Sequence, residues 1–132
     1  MEKLSASTNA LNWFEIPVTD TARAKKFYET ILDVSMDTQE MGGMEMTMFP
    51  YDREAKSGKV AGSLVKGPMH KPSMDGVVVY LNANPTIQTV VDKIEAAGGK
   101  ILMPKTLIGE SIGYMAFFTD TEGNRVALHA GG

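Results

Sequence analysis

The chain has 132 residues, 13 basic against 16 acidic, with two histidines and no cysteine. That length suits one compact core rather than two. The lack of cysteine excludes disulfides, thiolate metal sites and a cysteine nucleophile. A net charge of −3 gives no electrostatic reason to expect nucleic acid or an anionic membrane as partner. Residues 1–10 are polar, without the apolar stretch of a secretory signal, and no run approaches the roughly 20 apolar residues of a membrane span. A soluble chain of the cytoplasm is the expectation.

The first patterned segment is Leu11 to Val18, in which Phe14, Ile16 and Val18 alternate with Trp13, Glu15 and Pro17. That is the period of a strand with one apolar face, and Pro17 places it at an edge. Thr19 or Asp20 then caps a helix predicted over Thr21 to about Leu32, with Phe27, Tyr28 and Ile31 on one side. Strand candidates follow at Met44–Phe49 and Ala61–Val65. Turn signals stand at Gly42-Gly43, Ser57-Gly58 and Gly67-Pro68.

After the polar stretch Gly67 to Asp75 the pattern repeats. Gly76–Leu81 reads as a strand. Thr86–Ala97 reads as a helix with the stripe Ile87, Val90, Val91 and Ile94, and Gly98-Gly99 stop it. Strand candidates follow at Lys100–Met103, Tyr114–Thr119 and Arg125–His129. A shift of 63 residues lays Phe14, Ile16 and Val18 on Val77, Val79 and Leu81, and Phe27, Tyr28 and Ile31 on Val90, Val91 and Ile94. The unit is βαβββ, present twice, with module one at about 9–67 and module two at about 74–130 of a single domain. An α+β fold follows: two curved, antiparallel-rich mixed sheets around a cavity, with helices on the outer face.

Ile16-Pro17-Val18-Thr19-Asp20 followed by Arg23-Ala24-Lys25-Lys26-Phe27-Tyr28, then Ala96-Ala97-Gly98-Gly99-Lys100 and Phe118 to His129, resemble the vicinal oxygen chelate superfamily, also called glyoxalase/bleomycin-resistance/dioxygenase. The resemblance runs from about residue 11 to 129. It implies a cavity metal held from four strand positions, which in this chain are Trp13, Gly76, Ala127 and one place in Met44–Met48, where Glu45 is the only donor. Three of the four cannot coordinate through a side chain, and first-row sites need at least three protein donors. No metal or other cofactor is therefore expected, and metal-polarised glyoxalase or dioxygenase chemistry is not supported by these residues.

Strand parity turns Trp13 and Glu15 toward the cavity, with Gly76, Val78 and Tyr80 from the repeat and Arg125, Ala127 and His129 from the last strand. A carboxylate on such a face needs a partner, for which Lys105, Arg125 and His129 are the candidates. Glu15 and His129 are the candidate catalytic pair, and Trp13, Tyr80, Lys105, Met46 and Met48 the candidate ligand contacts. Structural roles compete for each: an ion pair for Glu15, a solvated terminal position for His129, packing for Trp13. The stretch Met36 to Met48 holds five of the ten methionines, which would serve as a pliable pocket wall or as core filling. Pro104–Gly113 reads as a loop, with Lys105 and Glu110 as handles of a lid.

Three functions fit this reading. One is a metal-independent protein that binds a small molecule. Another is a lyase or isomerase acting on an enolisable substrate through Glu15 and His129, with a variant in which Glu45 helps them hold a displaced metal. The last is a vestigial pocket on a protein that acts through its surface. The resemblance also implies a homodimer.

Overall fold

The computed structural model describes residues 2–52 and 59–132, so the turn expected at Ser57-Gly58 lies outside the described residues. The first module runs β1 (Trp13–Pro17), α1 (Thr21–Leu32), β2 (Asp37–Met41), β3 (Met44–Met48) and β4 (Ala61–Lys66). The second runs β5 (Tyr80–Asn82), α2 (Ile87–Ile94), β6 (Lys100–Gly109), β7 (Gly113–Thr119) and β8 (Arg125–Ala130). The two sheets share one topology, β1-β4-β3-β2 and β5-β8-β7-β6. In each, the first strand pairs parallel with the last and the other pairings are antiparallel. The βαβββ unit, read twice from the sequence, is the architecture of the molecule. The helix stripes match at the 63-residue shift, whereas Val77, which that shift sets on Phe14, lies before β5 and is exposed. No helix among the described residues is long and apolar enough to cross a membrane.

The helices form where spacing and capping agree. Asp20 caps α1 by accepting the Arg23 N–H at 3.0 Å, leaving Ala24, Phe27, Tyr28 and Ile31 on the buried side. On α2 the buried side is Ile87, Val90, Val91 and Ile94. Both faces join one apolar core with Ile16, Val18, Leu64, Leu81, Phe118 and Leu128 from the sheets. The two modules therefore share their interior. Gly99 marks how closely they fit, because a Cβ there would stand 2.7 Å from the Thr119 carbonyl and 2.8 Å from the Phe27 ring.

A polar clamp joins the modules above this core. Asp120 accepts the buried Tyr28 hydroxyl at 2.7 Å through Oδ2, and Asn124 donates to the Pro17 carbonyl at 2.7 Å. Glu122 accepts the N–H groups of Thr19 and Asp20, both at 2.8 Å, and Arg23 Nε at 2.7 Å. Burial by itself would raise the Glu122 pKa, but the bonds from Arg23, Asp20, Thr19 and Thr121 outweigh it and bring it to about 2. The same pair raises the pKa of Arg23, chiefly through its hydrogen bond to Glu122. Burial, then the charge of Asp120, puts the Tyr28 phenol well above its ordinary value. The turn motif Asp120 to Asn124 thus fastens module two to the start of α1.

Three expectations are corrected. Pro104–Gly109 belongs to β6, which pairs with β7 through Gly113, so this stretch is an edge hairpin and not a lid. The ladder tolerates Pro104 because β6 is an edge strand with register shifts between Met103 and Thr106. β5 is shorter than Gly76–Leu81: Gly76 has φ of 92°, and the Arg125 N–H, which would extend the ladder, goes to the Ser73 carbonyl. Finally, β2 is a strand that the sequence reading left out. Its residues, Asp37 to Met41, are almost all exposed and carry no apolar alternation.

Candidate functional site

Register fixes which side chains share the face turned away from the helices. Trp13 and Glu15 on β1 stand beside Ala61 and Ser63 on β4. Met48 and Met46 on β3 stand beside Ser63 and Val65. Ile16, Leu64 and Thr47 point the opposite way, toward α1. In module two, Tyr80, Ala127 and Phe117 form one rung and Asn82, His129 and Met115 the next. The parity assigned from sequence to Trp13, Glu15, Tyr80, Ala127 and His129 agrees with these registers.

Between the modules lies a cleft of about 920 Å³. Its walls are largely apolar, with Trp13, Phe14, Phe49 and Val77 to Val79 among them, and its polar groups are Glu15, Tyr80, Asn82 and Asn84. Val77 is 90% exposed at its border. Tyr80, half-exposed, packs edge-on against Phe117 with ring centroids 5.8 Å apart. Asn82 Oδ1 accepts both the backbone and side-chain N–H of Asn84, and Asn84 Oδ1 accepts the Gly131 N–H at 2.8 Å. These amides are held in place before any ligand arrives.

Glu15 finds a partner that the sequence reading did not consider. His70, on the linker between the modules, sets its Nε2 2.7 Å from Glu15 Oε1. His129 is engaged elsewhere, its Nε2 2.8 Å from the Ile112 carbonyl. Lys105 lies on the edge hairpin with Nζ 4.3 Å from the centre of the Tyr114 ring. Arg125 donates to the Gly76 carbonyl at 3.0 Å. None of the three partners expected for Glu15 is the one it takes. Met46 is buried and Met48 half-buried on the Glu15 face, outside the shared core.

His70 was missed because it sits in a polar segment with no periodicity, although it is one of only two histidines. A turn places it: its N–H donates to the Gly67 carbonyl at 3.1 Å, which brings the ring back over Met44 and β1. Two polar atoms near this pair are buried without a hydrogen-bond partner, His70 Nδ1 and Ser63 Oγ. Ser63 is wholly buried and shares its rung with Glu15. Sequence alone gave no sign of it, since a serine within a strand is usually solvated.

The family metal does not fit this residue set. Trp13 and Ala127 carry no donor, and Ala127 is wholly buried between Tyr80 and Phe117 on one rung. Gly76 precedes β5. Glu45 faces α1, where its carboxylate accepts the Thr21 hydroxyl at 2.6 Å. Among the described residues no three His, Asp or Glu side chains gather as a metal group.

Comparison with known proteins agrees with this architecture. A family model described as "Glyoxalase/Bleomycin resistance protein/Dioxygenase superfamily" matches residues 10–128. Proteins named "Putative glyoxylase CFP32" from Mycobacterium bovis and Mycobacterium tuberculosis are 30% identical over 120 residues, 89% of this chain and 44% of theirs. The chain thus spans less than half the length of these relatives. Among solved structures, glyoxalase I from Zea mays aligns with a TM-score of 0.63 at 20% identity, over 90% of this chain and 45% of that one. A glyoxalase/bleomycin resistance protein from Albidiferax ferrireducens aligns at 0.61 and 17% identity, over 92% of this chain and 98% of its own. At these identities the structural likeness is one of fold.

Proposed function

We propose that this chain, which belongs to the Glyoxalase/Bleomycin resistance protein/Dioxygenase superfamily, binds a small, largely apolar molecule between its modules without the metal found elsewhere in that fold. The observation that carries the proposal is the cleft itself. Its volume of about 920 Å³ lies within the roughly 300–1,000 Å³ range of ligand pockets, and apolar walls with a few fixed polar groups are what such pockets present. Thermal-shift screening against a panel of neutral, cationic and anionic small molecules, with Trp13 fluorescence as a second readout, tests it. A hit that stabilises the protein and perturbs Trp13 supports the reading. Hits that stabilise without touching Trp13 place binding elsewhere.

A second reading, a lyase or isomerase acting on an enolisable substrate, is favoured by one observation: a carboxylate held by an imidazole beside the cleft. In this version Glu15 transfers the proton, and His70 takes the role that the sequence assigned to His129. Uptake of solvent deuterium by α-hydroxy ketones, lost in Glu15→Gln, tests it. The homodimer implied by the resemblance belongs to the same proposal, and light scattering of the purified protein reads it directly.

A further inference from the structure

We infer that the molecule taken by this cleft is cationic at one end and apolar over the rest, an amphiphilic amine. This rests on the cleft being the binding site and adds the charge of its occupant. Of the described residues lining the cleft, Glu15 is the only Asp, Glu, Lys, Arg or His; the others are aliphatic, aromatic, proline or asparagine. The carboxylate holds Oε1 2.7 Å from His70 Nε2, and its side chain remains 33% exposed. Trp13 stands two residues before it on the same strand face and Tyr80 borders the same space, so the cleft that holds the carboxylate also holds two electron-rich rings. An anionic ligand would meet a carboxylate with no cation among the described wall residues of the cleft, while a neutral one would leave that carboxylate partly desolvated with His70 as its partner.

A neighbouring crevice of about 230 Å³ borders Glu15 on its other side and holds Lys71, Asp75 and Arg125. Arg125 is fixed on the Gly76 carbonyl. These groups line the crevice and are absent from the described wall of the cleft.

Trp13 is the only tryptophan in the chain, so its emission reports on cleft occupancy. The experiment titrates three probes of one shape, 3-phenylpropylammonium, 3-phenylpropanol and 3-phenylpropanoate, at pH 7.5. The expected result is that the ammonium binds about tenfold more tightly than the alcohol, as one ion pair with ring contacts would give, and the carboxylate binds weakest. Glu15→Gln should bring the ammonium and alcohol together. Equal affinity of ammonium and alcohol in the unmodified protein overturns the inference and leaves the cleft reading standing, a result that needs no variant to fold. An ammonium that fails to perturb Trp13 while the alcohol does so overturns it in the same way. Silence from all three overturns the inference and counts against the cleft as well.

Discussion

Replacing Glu122 with Gln tests the clamp that holds the modules together. The carboxylate side chain is wholly enclosed and receives two backbone N–H groups and the Arg23 guanidinium. Its pKa of about 2 against an ordinary 4.5 sets a ceiling of about 3 kcal/mol on what ionisation contributes to folding. Arg23 is half-exposed, and solvent screening reduces the expected figure to about 1–2 kcal/mol. The sign follows from the depressed value. The contribution is complete above the unfolded-state pKa near 4.5 and is lost as pH falls toward 2. Urea denaturation at pH 7 should show Glu122→Gln less stable than the unmodified protein by about 1–2 kcal/mol, and at pH 3 the two should have drawn together. Equal stability at pH 7, with parallel losses on acidification, would refute the clamp as an energetic feature.

Three further outcomes are expected. Ile94→Ala should cost about 2–5 kcal/mol in a denaturant titration, because Ile94 is fully buried in the shared core; a cost under about 0.5 kcal/mol would contradict the repeat-based packing. Ser63→Ala should leave stability within about 0.5 kcal/mol or raise it, since the hydroxyl is buried without a partner, whereas a loss above about 1 kcal/mol would show that this hydroxyl is bonded in solution. Lys105→Ala should change stability by less than about 0.5 kcal/mol and ligand affinity by less than about twofold, because its contact is an exposed ring stack on the edge hairpin; a large loss of affinity would restore the lid.

Architecture was legible because strand and helix periodicities recur in order along the chain. Phe27, Tyr28 and Ile31 could be set on Val90, Val91 and Ile94 by sequence alone, and all six are buried, but the same shift sets Phe14 on Val77, which lies before β5 and is exposed. Strand β2 was not legible, since both its faces are mostly exposed and no burial pattern was imposed on Asp37 to Met41. Pro104 misled in the other direction: a proline and two glycines suggest a loop, but a bulged edge strand accommodates them. The site was readable as a face and not as contacts. Trp13, Glu15 and Tyr80 line the cleft, but so do Phe14 and Leu81 of the opposite parity, since β1 and β5 are edge strands. The partner of Glu15 came from the linker, where a turn at Gly67 and not a repeating pattern decides where His70 lands.

The central claim is ligand binding in a cleft that uses no metal. Isothermal titration of the strongest ligand from the screen, with EDTA-treated protein and again after adding zinc, nickel or manganese, tests it most directly. The expected result is one site per chain with the same affinity in every arm, weakened by substitution of Trp13 or Glu15. Binding that EDTA abolishes and a divalent metal restores would contradict it.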